Sequence, residues 1–224
     1  MNICYAFVFV FSAVCFALIG KTVPYWFLSL LCFWCVVSSF LMTTAYLFQQ
    51  PFFVLGKSPK RSFFALIFVL NFPFIVAYWM LWILRHGFSK NDPVNRIKDT
   101  NISISQWPIF GVSPEKYDIV IDLTSEMPAI YPVSGKYISL PNMDGVSLCR
   151  WDIPLEFDRN QQILVHCAQG RGRSAVYAAM LLKELGYAAT ADIAYELIKQ
   201  SRPSVHLTHA QLKQLRRYFQ LTKN

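Results

Sequence analysis

The 224-residue sequence predicts an α/β domain preceded by a helical membrane region. Three observations predict this division. Residues 1–84 contain neither Asp nor Glu and only four basic residues, whereas all 13 acidic and the other 17 basic residues lie in 85–224. Long uncharged stretches fill the first part, and short apolar runs followed by helix-like segments fill the second. We therefore expect a membrane region at 1–84, a linker at 85–100 and a compact α/β domain at 101–224.

Three uncharged stretches define the membrane region: Ile3–Ile19, Tyr25–Phe48 and Ser62–Leu84. A membrane-crossing helix needs about 20 apolar residues, so the first is short and the other two are long enough. Hydrocarbon offers no partner for a backbone N–H or C=O, so each stretch is expected to be helical. Pro73 lies inside the third stretch and is expected to kink it rather than end it. The sequence thus predicts two or three transmembrane helices.

Basic residues near the membrane favour a cytoplasmic location for residues 85–224, because Lys and Arg accumulate on the cytoplasmic side. With three crossings, five basic residues flank the membrane on the side of the tail and three on the opposite side. The five are Lys21, Arg85, Lys90, Arg96 and Lys98, and the three are Lys57, Lys60 and Arg61. The net charge of +8 includes no dense basic run, so nucleic acid is not an expected partner.

Four strands are expected in the second part. Ile102–Ser105 alternates like an edge strand, and Tyr117–Leu123 encloses an apolar run suited to a buried central strand. Tyr137–Leu140 is closed by Pro141. Ile163–Val165 is the clearest strand and runs directly into His166 and Cys167.

Three helices are expected to follow. The first spans Ser174–Leu185 and is closed by Gly186, a residue favoured just past a helix end. Thr190 caps the second, which continues to about Gln200, and Thr208 caps the last.

The segment His166–Ser174 contains the candidate reactive and anion-binding residues. It places two glycines in a six-residue loop between a strand and a helix. Glycines allow backbone N–H groups to turn inward and form an anion cradle, and the helix N-terminus adds a positive dipole. Arg173 has a planar fork that can bind two oxygens of a phosphate. The same field favours the thiolate of Cys167, which is then poised to attack phosphorus.

The other residues of this segment have supporting roles. Ser174 is positioned to donate a hydrogen bond to the Cys167 sulfur when it departs. His166 is expected to orient the loop rather than act as a base, and Arg171 makes the mouth of the pocket more positive. His166 and Cys167 are adjacent and no second cluster has ligand spacing, so no metal site is predicted. The expected phosphate-binding residues are Ala168, Gln169, Gly170, Arg171, Gly172 and Arg173.

The segment resembles the HCxxGxxR[ST] signature of cysteine-dependent dual-specificity phosphatases, within the protein tyrosine phosphatase superfamily. A looser resemblance extends over about Ile102–Leu221 and includes Asp118–Glu126, Tyr137–Asp144 and Ser201–Pro203. The chain looks most similar to bacterial membrane-anchored members and to the lipid-phosphatase-like branch. The lipid analogy is partial, because a second basic residue of the phosphatase-and-tensin group is replaced here by Ala168.

The resemblance implies a protein tyrosine phosphatase-like fold, with a central mixed sheet flanked by helices, and a two-step reaction without a cofactor. Cys167 attacks the phosphoryl group and water then hydrolyses the phosphocysteine. A general acid on a separate loop protonates the leaving oxygen. Asp144 fits that position by following a strand and a Pro, Asp152 is the competing candidate, and Asp122 is expected to be structural. Because a reactive thiolate is easily oxidised, a reducing compartment is expected, in line with a multi-pass protein of a bacterial inner membrane.

The partners expected are the lipid bilayer and a phosphorylated substrate, either an anionic phospholipid or a phosphoprotein. A catalytically inactive phosphate-binding module is the alternative, although inactive relatives usually lack the Cys or the Arg. A transporter is disfavoured because no charge lies inside a span. Cys32 and Cys35 have CxxC spacing but are interpreted as apolar membrane residues, and whether Cys149 lies near enough to protect Cys167 as a disulfide is left open.

Overall fold

The computed structural model describes residues 3–57, 64–87, 93–149, 151 and 157–221. The chain forms two compact units, residues 1–89 and residues 90–224. The helices of the first unit are α1 (Ile3–Thr22), α2 (Trp26–Phe48), α3 (Phe52–Leu55), α4 (Ala65–Leu70) and α5 (Phe72–Gly87). The second unit contains β1 (Val94–Arg96), β2 (Ile102–Ser105), β3 (Ile119–Thr124), β4 (Lys136–Asn142), β5 (Ile163–His166), α6 (Arg173–Glu184), α7 (Ala191–Ser201) and α8 (His209–Leu221).

In the first unit, α1 and α2 are antiparallel neighbours. Ser39 Oγ donates a hydrogen bond to Ser12 Oγ at 3.3 Å, and Ser29 Oγ donates to the Gly20 carbonyl at 2.9 Å. By length and composition, two helices of the described residues could cross a membrane, Cys4–Thr22 and Trp26–Phe48.

The third apolar stretch is not one helix, because it divides at Asn71 into α4 and α5. The predicted kink at Pro73 is therefore displaced by two residues. Pro73 is the second residue of α5, where its missing N–H removes no helical hydrogen bond. The side chain of Asn71 is fully buried and links the α4–α5 junction to two other helices: it accepts from Ser38 Oγ of α2 and donates to the carbonyls of Phe53 and Val54 in α3.

The second unit is built on a five-stranded sheet with the order β1-β2-β5-β3-β4. β1 is antiparallel to β2, and the other neighbouring pairs are parallel. The strand β5 therefore lies at the centre of the sheet and is buried along its whole length, between β2 and β3. Its carboxyl end is a site where parallel sheets place reactive groups, because loops from neighbouring strands meet there.

Two strand predictions need correction. Ile102–Ser105 has the predicted bounds, but β1 covers it, so β2 is an inner and fully buried strand rather than an edge strand. The strand β1 itself lies inside the segment 85–100 that was predicted as a linker. β4 continues past Pro141 to Asn142, which is tolerated because β4 is at the edge of the sheet and an edge strand needs no second ladder of hydrogen bonds.

The helices of the second unit begin and end close to the predicted positions. Thr190 caps α7 through a hydrogen bond from the Ile193 N–H at 3.2 Å, and Thr208 caps α8 through the Gln211 N–H at 3.3 Å. Gly186 follows α6 with φ of 72°, the left-handed conformation that glycine favours after a helix. The helix α6 is almost wholly buried and packs with the sheet around Ile104, Ile121 and Val165.

Candidate active site

The loop of residues 167–172, hereafter the signature loop, joins the central strand β5 to the start of α6. Cys167 is its first residue, and its side chain is almost fully buried. The Gly170 N–H donates to Cys167 Sγ at 3.2 Å, and Ser174 Oγ lies 3.4 Å from the same sulfur. The sulfur is therefore at the floor of a cradle made by a backbone amide and a hydroxyl.

Arg173 is the first residue of α6 and is fixed by a buried ion pair. Its Nη1 and Nη2 donate to Glu126 Oε2 and Oε1 at 2.9 and 2.5 Å, and Nη1 also donates to the Asn142 carbonyl at 2.8 Å. The carboxylate is in turn held by Ser125, whose N–H and Oγ donate to Oε2 at 3.0 Å. Removing two charges from water is costly, and such additional hydrogen bonds are what makes a buried pair tolerable.

The ionisation of this pair follows from its geometry. Burial alone would raise the pKa of Glu126, but the charge and hydrogen bonds of Arg173 hold it below its ordinary value. Burial opposes the charged form of Arg173, yet Glu126 and Asp144 raise the pKa of its guanidinium well above the ordinary value. Both groups are therefore charged at neutral pH.

The third nitrogen of the Arg173 guanidinium, Nε, differs from Nη1 and Nη2 in its hydrogen bonding. Arg173 Nε is buried and has no hydrogen-bond partner among the described residues. A buried donor without a partner is rare in folded proteins and calls for a ligand or a water molecule. Asp144 Oδ1 lies 3.2 Å from Arg173 Nη2, and its side chain is about half exposed (48%). The structure thus brings Cys167, Ser174, Arg173 and Asp144 close together.

Asp152, the competing candidate for the general acid, lies outside the described residues. Cys149 is half-buried, its N–H donates to Asn142 Oδ1 at 2.7 Å, and neither it nor Cys167 takes part in a disulfide. The free thiols of Cys32 and Cys35 lie on α2 in the first unit.

The back of the signature loop is held by Arg202. Its Nε donates to the Gly170 carbonyl at 2.7 Å and its Nη2 to the Gln169 carbonyl at 3.4 Å, while Nη1 donates to Asn95 on β1. Arg202 thus binds the carbonyls of Gly170 and Gln169, while the Gly170 N–H donates to Cys167 Sγ. Arg202 belongs to the Ser201–Pro203 segment singled out from the sequence, but sequence reasoning gave it no role.

Gly170 is required by the shape of the loop. Its φ is 66°, and a Cβ placed there would lie 2.7 Å from the carbonyl carbon and oxygen of Ser105. Backbone cannot move aside as a flexible side chain can, so the tip of the loop fits against β2 only when residue 170 is glycine.

A buried network surrounds His166, the residue before Cys167. His166 Nε2 is 2.5 Å from Tyr131 Oη and 3.7 Å from Asp122 Oδ1. Asp122 Oδ2 accepts from both Tyr131 Oη (3.2 Å) and Tyr137 Oη (2.7 Å). The side chains of Tyr131 and Asp122 thus hold the imidazole of His166, the residue expected to orient the loop. Asp122 joins His166 to both tyrosines in this network.

The remaining residues of the signature loop contribute mainly through their backbone. The Ala168 carbonyl accepts from the Trp107 N–H at 3.1 Å, and the Arg171 carbonyl accepts from the His206 N–H at 3.2 Å. Arg171 and Gln169 are half-buried, and Gly172 is the residue that precedes α6.

The sequence of this unit matches a known family. A model of the dual specificity phosphatase catalytic domain matches residues 154–221, which include the signature loop and all three helices. Residues 154–221 are therefore similar in sequence to the catalytic domain of dual specificity phosphatases. The mixed sheet flanked by helices agrees with the fold expected from the resemblance to protein tyrosine phosphatases.

Solved structures similar to this chain include other phosphatases. Human DUSP28 is 14% identical with a TM-score of 0.46, and the match covers 59% of this chain and 96% of DUSP28. PTPMT1 in complex with PI(5)P is 21% identical with a TM-score of 0.49, covering 58% and 96% of the two chains. The active form of Tk-PTP is 17% identical with a TM-score of 0.45, covering 57% and 97%. No curated protein matches the chain in sequence.

Proposed function

We propose that this protein is a membrane-anchored phosphatase that hydrolyses phosphate monoesters through a phosphocysteine intermediate. The observation that carries the proposal is the placement of Cys167 Sγ in the amide cradle beside Arg173, whose buried Nε awaits an acceptor. A phosphate oxygen is a suitable acceptor, because the guanidinium fork matches phosphate geometry.

The first step forms a bond between Cys167 Sγ and phosphorus and breaks the bond between phosphorus and the leaving oxygen. Asp144, in its protonated form, gives its proton to that oxygen. In the second step water attacks the phosphocysteine, Asp144 accepts a proton from the water, and the sulfur departs as a thiolate. Ser174 Oγ, at 3.4 Å, donates a hydrogen bond to the departing sulfur.

The negative charge of the phosphoryl group is stabilised by groups fixed before substrate binds. The signature-loop amides and Arg173 face the equatorial oxygens throughout both steps. Preorganised donors of this kind usually contribute the largest catalytic term, because they need not reorganise during the reaction. The contact between Asp144 and Arg173 Nη2 would be replaced by a contact between phosphate and Arg173, which frees Asp144 to face the leaving oxygen.

The substrate class follows from the anchor and from the charge at the opening. A tether keeps the active site at a high effective concentration near lipid headgroups, and the half-buried Arg171 adds positive charge at the mouth. Both features favour an anionic phospholipid with a phosphomonoester headgroup. A phosphoprotein is the competing substrate. Phosphate release from phosphoinositide or phosphatidylglycerophosphate vesicles, compared with release from phosphopeptides, decides between them, and a clear preference for peptides would exclude the lipid substrate.

The phosphatase activity itself is tested by substituting the nucleophile. Cys167→Ser should still bind substrate and release no phosphate, and the intact parent chain should accumulate radioactive phosphate on Cys167 after an acid quench. Equal hydrolysis by the variant and the parent would refute the assignment of Cys167. A parent that binds phosphorylated ligands without any hydrolysis would instead support the alternative, an inactive phosphate-binding module.

For the membrane unit we infer two crossings, with α3, α4 and α5 forming a re-entrant segment. Asn71, where α5 begins, bonds to Ser38 in the middle of α2. The buried residues of α2 all lie in its second half, between Ser38 and Tyr46, while Trp26 is 78% exposed at its start. The helix α5 therefore runs from mid-membrane along the second half of α2, toward the side where α2 ends.

Helix length agrees with this arrangement. The 16 described residues of α5 span roughly 24 Å, which is ample for half of the hydrocarbon thickness of about 30 Å. The irregular backbone at Asn71 is also tolerated at this depth, because it is buried in protein and its groups are paired.

Two crossings change the distribution of basic residues. The loop after α2 and the start of the second unit then share one side, with seven basic residues against one on the other. The seven are Lys57, Lys60, Arg61, Arg85, Lys90, Arg96 and Lys98, and the one is Lys21. This bias, larger than the five against three of a three-crossing arrangement, favours a cytoplasmic phosphatase unit.

Single cysteines at positions 22, 58 and 89, in a chain with its native cysteines replaced, test this topology with a membrane-impermeant maleimide. We expect outside labelling only at position 22. Labelling of positions 58 and 89 from opposite sides would show that the third stretch crosses the membrane.

A further inference from the structure

We propose that Gln211 and Gln214 of α8 are positioning residues that hold the loop carrying Asp144 in register with the signature loop. The loop of residues 143–148, hereafter the acid loop, follows β4. This inference rests on the proposed function, because it concerns how the general acid is placed.

Gln214 binds the end of the acid loop through both atoms of its amide. Its Oε1 accepts from the Leu148 N–H at 2.7 Å, and its Nε2 donates to the Leu148 carbonyl at 2.7 Å. The Gln214 side chain thus satisfies both backbone groups of Leu148, as the backbone of a neighbouring strand would do in a sheet. A surface glutamine seldom satisfies both backbone groups of one residue, because both bonds require the amide plane to align with the peptide.

Gln211 connects three parts of the molecule, and only 1% of its surface is exposed. Its Oε1 accepts from the Thr208 N–H at 3.0 Å and completes a capping box, since Thr208 Oγ1 accepts from the Gln211 N–H. The remaining donor, Nε2, bonds to the Val146 carbonyl in the acid loop at 3.2 Å. The helix cap therefore fixes the orientation of the amide, and the amide fixes Val146.

The same side chain lies against the signature loop. A Cβ placed on Gly172 would be 3.2 Å from both Nε2 and Oε1 of Gln211. Gln211 thus touches the residue before Arg173 on one side and Val146 on the other. The distance between the two loops is set by a single buried amide anchored at the N-terminus of α8.

The base of the acid loop is fixed separately. Asn142 Oδ1 accepts from the Cys149 N–H at 2.7 Å and closes the loop, while the Asn142 carbonyl accepts from Arg173. Asp144 lies between this base and Leu148, with its Oδ1 3.2 Å from Arg173 Nη2. The glutamine pair fixes the backbone that follows Asp144, at Val146 and at Leu148, and a general acid acts only within hydrogen-bond reach of the leaving oxygen.

The test compares kcat/KM of the intact chain in detergent micelles toward aryl phosphates whose phenols differ in acidity. Gln211→Met and Gln214→Met remove the bonds to the acid loop, and Gln220→Met, an exposed position on the same helix, is the matched control. Gln211→Glu retains the acceptor of the capping box but loses the donor to Val146, so it keeps the helix start intact. Asp144→Asn gives the reference pattern for loss of the acid.

We expect the losses to depend on the leaving group. A poorly acidic phenol needs a proton from Asp144, so the three glutamine variants should lose about 10-fold or more with such esters, a part of the roughly 10²–10⁴-fold that a general acid supplies. With an acidic dinitrophenol as leaving group they should stay within about twofold of the parent and of the Gln220→Met control.

A uniform loss across all esters, or no loss, would overturn the proposal while Asp144→Asn still shows the dependence on the leaving group. If Asp144→Asn itself shows no such dependence, the assignment of Asp144 fails and the positioning role fails with it.

Discussion

Replacing Glu126 by Gln tests whether the buried ion pair fixes Arg173 for catalysis. The substitution preserves the shape of the side chain and removes the negative charge that faces Arg173, a residue that is 1% exposed. In the parent, Oε1 and Oε2 of Glu126 accept from Arg173 at 2.5 and 2.9 Å. The amide oxygen of Gln can replace one of these acceptors, but its NH₂ group is a donor and would face a second donor on the guanidinium. The guanidinium would be left in the interior with Asp144 as its remaining charged contact among the described residues.

The expected loss in the free energy of unfolding follows from the burial of both Glu126 and Arg173. Removing one member of a buried pair costs about 3–5 kcal/mol, because the other charge stays uncompensated. Gln retains part of the hydrogen bonding, so we expect a loss near 3 kcal/mol in the free energy of unfolding of the phosphatase unit. At about 1.4 kcal/mol per factor of ten, the opening equilibrium rises roughly 100-fold. A guanidinium displaced by about 1 Å should also lower kcat/KM on the order of 100-fold.

Hydrogen exchange of the β5 and α6 amides in the intact chain measures this loss, with Glu115→Gln, which removes an exposed carboxylate, as the control. The sign of the pH dependence is fixed by the lowered pKa of Glu126. The stabilisation is fully present above the unfolded-state pKa of about 4.3 and disappears as the pH falls through the lower folded-state value. The difference between parent and Glu126→Gln should therefore be complete at pH 7 and shrink below about pH 4. Equal protection and equal kcat/KM at pH 7 would refute the reasoning.

Three further predictions concern the loop and the membrane unit. Gly170→Ala should abolish hydrolysis and cost on the order of 1–3 kcal/mol of stability, because a left-handed φ and the Ser105 backbone both oppose a Cβ. The control is Gly186→Ala, which has the same unfavourable φ away from the site. A similar loss of activity in the control would contradict the explanation for Gly170. Arg202→Met should lower kcat at least about 10-fold while leaving the helices folded by circular dichroism, and unchanged kcat would show that the loop carbonyls need no partner. Asn71→Leu should lower the thermal midpoint of the intact chain in detergent, since two carbonyls in the membrane unit lose their donor, and an unchanged or raised midpoint would argue against the role of Asn71.

The signature loop and the order of strands and helices were well predicted, because both depend on residues that are close together in the sequence. The run Ile163–Val165, the two glycines and Ser174 are adjacent in sequence, so their strand-loop-helix geometry could be inferred without knowledge of the fold. Glu126 could not be assigned in this way, since it lies 47 residues before Arg173 and looks like any acid that follows a strand. Its only signal was the resemblance of Asp118–Glu126 to the family.

The segment 85–100 shows a different failure of sequence reasoning. Its polar residues and Pro93 are typical of a linker, yet Val94–Arg96 pairs with β2 through backbone hydrogen bonds. Backbone pairing does not depend on apolar side chains, and a three-residue edge strand shows too little alternation to be recognised. The third apolar stretch failed for the opposite reason, because its composition is uniformly suited to the membrane and one residue, Asn71, sets the break through partners distant in sequence.

The signature loop is shaped by residues outside it, and this explains why it can be rigid before substrate binds. Inward-facing amides repel one another, so the conformation that binds phosphate is costly for the loop alone. Arg202 offsets this cost by binding the outward-facing carbonyls, and Glu126 by fixing Arg173 at the helix start. Gln211 lies against Gly172, so α8 also limits movement at the end of the loop. None of these three contacts uses the Gly170 N–H that donates to Cys167 Sγ or the buried Nε of Arg173, the two donors proposed to face the phosphoryl group.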